Sequence, residues 1–240
     1  MLFIEIVSII FVNAFANIMI FTTFVTRCYT MSKRNVVVNQ GHSTDFAILC
    51  CVLSKLIMNR SFKKDVALQA IMYILCKLGG KTDMHKLSKI LYFADQQHLS
   101  LYGRSITGDC YIAMQYGPVP SKVDDMLKAV RGDSFFSGTP LADKLATYFR
   151  FLNNYIIESL QDPDLDYLSE SDIECLDASI EKCKDLSFGQ LTDLSHNIAW
   201  SNAPKNGLMS VQDILREVGD EEGYVNYITE KIYTESNCLS

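Results

Sequence analysis

Residues 86–121 read KLSKILYFADQQHLSLYGRSITGDCYIAMQYGPVPS. This stretch predicts a helix, a glycine break, an extended segment and a proline-framed turn into a second helix. Leu87, Leu91, Ala94 and His98 recur at i, i+4, i+7 and i+11, one stripe of a 3.6-residue period. Gly103 follows the last periodic turn, where a left-handed residue ends a helix at little steric cost. Tyr111, Ile112, Ala113 and Met114 form an apolar run too short for a helix. In Gly117-Pro118-Val119-Pro120 each proline biases the residue before it away from helical dihedrals. Ser121 then offers an N-cap for the run that follows.

The stretch resembles the core signature of the Panacea domain, the antitoxin domain of the SocA-like family, which also takes in phage-associated GepA-like proteins. The resemblance lies, ungapped, in Lys86-Leu87, Leu91-Tyr92-Phe93-Ala94-Asp95, His98-Leu99, Tyr102-Gly103-Arg104, Ile106-Thr107-Gly108-Asp109, Tyr111, Ala113-Met114 and Tyr116 to Ser121. A second piece follows in Leu168 to Asp172, Leu191 to Leu194, Ser195-His196 and Ala199-Trp200. Together they cover roughly residues 62–203. The resemblance implies a cytoplasmic antitoxin of a type II toxin–antitoxin system, neutralising a cognate toxin protein by direct contact. It implies no enzyme activity, no cofactor and no small-molecule substrate. Because the domain pairs with toxins of unrelated kinds, it does not name the toxin.

Composition narrows the alternatives. A net charge of −6 disfavours a general nucleic-acid binder, which needs clustered Lys and Arg for phosphate contacts. The eight cysteines lack CxxC or CxxH spacing, which argues against a zinc site or a disulfide scaffold. With 48% apolar residues the chain can fill a proper core.

Residues 1–57 read as an N-terminal extension and residues 58–240 as the domain. Residues 6–25 carry no charge and match the ~20 apolar residues that span a bilayer. Arg27, Lys33 and Arg34 behind them would hold the C-terminal side in the cytoplasm. One reading is an inner-membrane anchor. The other, which we favour, is an over-long reading frame, with Met58 as the initiator just ahead of the resemblance.

Ala67, Ile71, Ile74 and Leu75 stripe a first helix that Gly79-Gly80 ends, and Thr82 or Asp83 caps the next. Val123, Met126, Leu127 and Val130 stripe a third, closed by Gly132. Thr147–Leu152 and Tyr155–Glu158 are rich in β-branched and aromatic residues. Asn153-Asn154 between them predicts a two-residue hairpin turn with positive φ. Tyr111 to Met114 would add a strand beside that hairpin. Ser169 with Asp172, and Ser187 with Gln190, read as capping boxes, the second opening a helix that carries His196 and Trp200. Ser210 with Asp213 opens a short helix ending at Gly219, and 224–233 is the last helical candidate. The expected fold is α+β, mainly helical, with a small antiparallel sheet or hairpin. Acidic residues crowd 162–185, read as a solvated face.

No nucleophile elbow, phosphate-binding loop, dinucleotide fingerprint or HExxH occurs. His98 reads as a core histidine with satisfied nitrogens, or as a pocket residue beside Tyr102, Arg104 and Asp109. Arg104 and Asp109 suit an ion pair that pins the loop between them. The residues offered for partner binding are His98, Tyr102, Arg104, Asp109, Tyr111, Tyr116, His196 and Trp200. Two other classes compete: a DNA-binding regulator of winged-helix type, and a hydrolase or transferase using His98 and Asp109.

Overall fold

In a computed structural model the described residues are 62–133 and 137–238. The expectations for residues 1–57 fall outside them. Helix α1 (Lys64–Lys77) buries an unbroken run from Ala67 to Leu75. Strand β1 (Lys81–Asp83) leads into α2 (Met84–Tyr102), whose N-cap is Asp83: its carboxylate accepts from Lys86 N at 2.8 Å. Gly103, at φ 65, ends α2 as expected. Every residue from Leu87 to Gln96 is buried, so α2 runs through the middle of the domain instead of along its surface. Leu87, Ile90 and Leu91 are at most 1% exposed, and each contributes about 1.5–3 kcal/mol by leaving water.

Strands β2 (Tyr111–Met114) and β3 (Gly117–Pro120) form an antiparallel hairpin of their own, pairing Tyr111 with Pro120 and Ala113 with Pro118. The expected alliance of Tyr111–Met114 with the later hairpin is therefore corrected. The Gly-Pro-Val-Pro run, read as a turn, is itself a strand. Ala113 and Tyr111 direct their backbone polar groups to the segment 206–209, through Ala113 N to Gly207 O and Met209 N to Tyr111 O, both 2.9 Å. The facing prolines thus occupy non-hydrogen-bonded pairs, and their missing N–H groups fall on the outer edge, where a strand tolerates them.

Helix α3 (Ser121–Arg131) follows directly. Its N-cap position is Pro120 and no side chain there caps it, so Ser121 does not act as expected. Asp109 does that work from a distance, accepting from Lys122 N and Val123 N at 2.9 Å. After α4 (Pro140–Leu145), strands β4 (Phe149–Phe151) and β5 (Ile156–Ser159) form the predicted hairpin, with β5 also pairing β1 in the order β1-β5-β4. Its turn differs from expectation. Neither asparagine has positive φ; the Asn153 side chain accepts from Tyr155 N and Ile156 N at 2.8 and 2.9 Å. An asparagine side chain that folds its own backbone needs no left-handed residue.

Helix α5 (Glu170–Cys183) opens with the predicted Ser169/Asp172 capping box and packs along α2. Helix α6 (Phe188–Ser195) opens with the Ser187/Gln190 box but stops at His196. Trp200 lies on a separate short helix, α7 (Ile198–Asn202), because the Asn197 side chain accepts from Trp200 N at 3.0 Å and starts a new helix there. Helices α8 (Val211–Glu217) and α9 (Glu222–Cys238) complete the domain. The fold is α+β and mainly helical with small antiparallel sheets, as expected. Among the described residues no helix is long and apolar enough to cross a membrane.

Candidate functional site

The eight residues offered by sequence separate into three places. The first is buried scaffold. Asp95, 3% exposed, accepts from Ile106 N at 2.8 Å, Thr107 N at 3.1 Å, Thr107 Oγ1 at 2.6 Å and Tyr111 Oη at 2.7 Å. Burial pushes its carboxyl up, while the bonds from Thr107, Tyr111 and Ile106 pull it back. Tyr111 is therefore not at a pocket rim; it is 4% exposed and its hydroxyl ties β2 to α2. Asp109 also serves the scaffold, at the start of α3. Sequence reasoning passed over Asp95, although an acidic residue between Ala94 and Gln96 in a buried helix is itself the signal.

The second place joins the end of α2 to α5. His98 is 0% exposed. Its Nδ1 lies 2.7 Å from Arg104 O, and a carbonyl only accepts, so Nδ1 carries hydrogen. Nε2 lies 3.0 Å from Ser171 Oγ and 3.1 Å from Asp172 Oδ1. Arg104 Nη1 reaches the same Oδ1 at 3.1 Å. The expected Arg104–Asp109 pair is replaced by Arg104–Asp172, because Asp109 is taken up by backbone N–H groups of Cys110, Lys122 and Val123. Burial raises Asp172, but hydrogen bonds from His98 and Ser169 and the Arg104 charge outweigh it and hold the carboxyl well below its usual range. Tyr102, 42% exposed, donates to Glu174 Oε2 at 2.7 Å. His98 and Asp109 share no bond, and Asp172 takes the place beside the histidine that a hydrolase built on His98 and Asp109 would give to Asp109.

The third place gathers Tyr116, His196 and Trp200 around the tip of the β2–β3 hairpin. The Trp200 indole donates to Met114 O at 2.9 Å, and the His196 ring stacks on it at 3.8 Å. Phe188 and Tyr116 are each 51% exposed and meet edge to face at 5.3 Å. Phe188 also stacks on His85 at 4.0 Å. His85 Nε2 lies 3.2 Å from Tyr116 O and 3.3 Å from Thr192 Oγ1. Burial lowers the pKa of His85, and the Lys89 charge lowers it further. His85 Nδ1 and His196 Nε2 are buried and without a hydrogen-bond partner among the described residues.

Beneath this face lies Lys89, 0% exposed. Its Nζ donates to Pro118 O, on the outer edge of β3, at 2.9 Å. Burial alone pushes its pKa down to about 7. Neither His85, Lys89 nor Phe188 was read as a site residue. Lys89 and His85 stand at i, i+4 on a helix apolar over most of its surface, which is the available signal.

The depressed Lys89 gives a prediction with a fixed sign. Between about pH 7 and about pH 10 the unfolded chain keeps the lysine proton and the folded chain has released it. The unfolded state then binds more protons, so this group's contribution to stability rises with pH, by at most about 1.4 kcal/mol per pH unit. Urea unfolding of wild type and Lys89→Met from about pH 6 to about pH 9 should show wild type gaining on the variant as pH rises. A constant difference would remove the buried, depressed lysine.

Among the described residues no group of three or more His, Cys, Asp or Glu side chains is placed to hold a metal ion. The family model described as Antitoxin SocA-like, Panacea domain, matches residues 87–201, a narrower span than the 62–203 read from the motifs. No curated protein and no solved structure matches the chain.

Proposed function

We propose, from the match of residues 87–201 to the family model described as Antitoxin SocA-like, Panacea domain, that the chain is an antitoxin that neutralises a toxin protein by direct binding. The family match carries the reading. The exposed aromatic face at the hairpin tip supports it, and we assign the contact to that face. Tyrosine and phenylalanine offer large area at low entropic cost, and aromatic anchors of this kind dominate protein interfaces. The face is built on α2, α6 and the tight turn of a short hairpin, which pack on one another, and such preorganisation lowers the cost of binding.

The test begins with the reading frames beside this gene. The product of one should arrest growth when expressed alone and not when this protein accompanies it, and the purified pair should co-elute. Tyr116→Ala and Phe188→Ala remove exposed rings without opening the core. Each should leave thermal unfolding unchanged and weaken toxin binding by about 2 kcal/mol, about thirtyfold in Kd by calorimetry. If neither neighbouring product is toxic, or if it is toxic and remains unbound, the antitoxin reading fails.

A further inference from the structure

Three carbonyls at alternate positions around the tip of the β2–β3 hairpin each accept from a side chain outside it. Trp200 Nε1 donates to Met114 O at 2.9 Å, and Lys89 Nζ donates to Pro118 O at 2.9 Å. Between them His85 Nε2 stands 3.2 Å from Tyr116 O; a carbonyl only accepts, so Nε2 carries hydrogen. Two of these three donors titrate, and neither has a partner for the proton it would gain. Among the described residues Pro118 O is the only acceptor for Lys89, so an ammonium there would hold three N–H groups against one acceptor. Lys89 is 0% exposed, and its cover is closely packed: Ser195 is also 0% exposed, and a Cβ on Gly117 would lie 2.7 Å from Nζ. A charged His85 would aim a second N–H from Nδ1, which is buried and has no partner. No charged side chain of α5, α6 or the hairpin acts on the amine; burial is the sole influence on its titration and pushes it down to about 7. For His85 burial is the largest influence and lowers the pKa. The Lys89 and His196 charges lower it too, while the bond to Tyr116 and the Asp83 charge raise it.

We propose that the hairpin is a proton-controlled latch: proton uptake by Lys89, and at lower pH by His85, is coupled to a local opening that lifts the tip from α2 and lets water reach the charge. The coupling follows from packing. A buried charge without counter-charge needs water, and water reaches Nζ only when the backbone at Gly117 and Pro118 moves. Between about pH 7 and about pH 10 the open form holds the lysine proton and the closed form does not. The closed form therefore gains on the open one as pH rises, by up to about tenfold in their ratio per pH unit. Below about pH 7 the lysine is charged in both forms and its effect levels off. His85 then continues in the same direction, because below about pH 6.5 the open form takes its proton first. The latch also governs the exposed rings. His85 joins Tyr116, through the carbonyl, to Phe188, through the stack, so the two rings stand as one face only in the closed form. This inference goes beyond the antitoxin reading and does not depend on it.

Native-state amide hydrogen exchange of the full chain, corrected for the intrinsic effect of pH on exchange, tests the latch. Ile112 and Val119 pair across the hairpin and report its opening, while Ile71 and Met72, in the buried run of α1, report global unfolding. The hairpin amides should exchange about tenfold or more faster than those of α1 and respond little to low urea that speeds α1. Their corrected exchange should slow as pH rises from about 7 to about 8.5, approaching about tenfold per pH unit. In Lys89→Met that slope should vanish while the circular dichroism stays that of wild type. Should Lys89→Met fail to fold, His85→Phe keeps a ring on Phe188 and removes both ring nitrogens. It should erase the further opening between about pH 6.5 and about pH 5 and leave the slope above about pH 7 in place. Hairpin amides that exchange at the α1 rate at every pH, or at a local rate flat with pH, would refute the latch. An unchanged slope in folded Lys89→Met, or an unchanged acid opening in His85→Phe, would refute it as well. All of these are read on this protein alone, so failure of the latch and failure of toxin binding are separate results.

Discussion

Asp95→Ala should destabilise the domain by about 4 kcal/mol or more, a large share of the 5–15 kcal/mol that holds an ordinary domain together. Four donors converge on that carboxylate: the backbone N–H groups of Ile106 and Thr107, the Thr107 hydroxyl and the Tyr111 hydroxyl. All are buried, and water does not reach them in the folded state. Each buried donor left without an acceptor costs about 1–3 kcal/mol. Asp95→Asn supplies a discriminating companion. Its remaining oxygen can still accept from the two backbone N–H groups, but its amide faces two hydroxyls that now have to turn and accept. It should therefore lose less than the alanine variant and more than any surface substitution. Urea unfolding of the three proteins gives the order directly. An alanine variant within about 1 kcal/mol of wild type would show that the four bonds are individually dispensable. Because Tyr111 begins β2, loss of this centre should also loosen the hairpin.

Gly117→Ala should be nearly as damaging, for reasons of shape. Gly117 has φ +97, a region that L side chains rarely adopt, and the strain of forcing alanine there is about 1–3 kcal/mol. The added Cβ would lie 2.7 Å from Lys89 Nζ and would overlap Ser195 Oγ. Both neighbours are 0% exposed, so neither has solvent to swing into, and overpacking adds about 1–3 kcal/mol more. We expect a total loss of about 3 kcal/mol or more, seen as a fall in Tm. Gly189→Ala, in α6, is the control: nothing stands within 4 Å of a Cβ there. It should be neutral or stabilising by a few tenths to about 1 kcal/mol. Equal Tm values for the two variants would refute the close packing of Gly117 on Lys89 and Ser195.

Local signals in the sequence translated directly into structure. Asp83, Ser169 with Asp172, Ser187 with Gln190, and Gly103 act within three or four residues of themselves, and each ends or begins a helix where its chemistry says it should. The β4–β5 hairpin was legible from its aromatic and β-branched content, but its turn was not, because Asn153 works through its side chain instead of its φ. What escaped reading was whatever depends on residues distant in the chain. Asp109 was assigned to Arg104, five residues away, yet it serves backbone N–H groups thirteen and fourteen residues on. Arg104 finds its carboxylate at Asp172, across the packing of α2 on α5. Lys89 was invisible because a periodic stripe implies an opposite face in water, and α2 has none over its central turns. The grouping of Tyr116 with His196 and Trp200 could be listed from sequence but not assembled. Only the fold brings residues at 85–89, 114–118 and 188–200 to one face.

The prolines of β3 close the hairpin to other backbones. One edge is occupied by the segment 206–209, and the other has no N–H at Pro118 or Pro120, with the Pro118 carbonyl already claimed by Lys89. An incoming chain finds no ladder there to extend, so neither strand exchange nor stacking of copies edge to edge can begin at this hairpin. A partner on the proposed face would draw its affinity from side chains. Main-chain pairing rewards almost any extended peptide, whereas side-chain contact rewards only a matching set. The exposed rings of this face can therefore be substituted while the hairpin beneath stays the same.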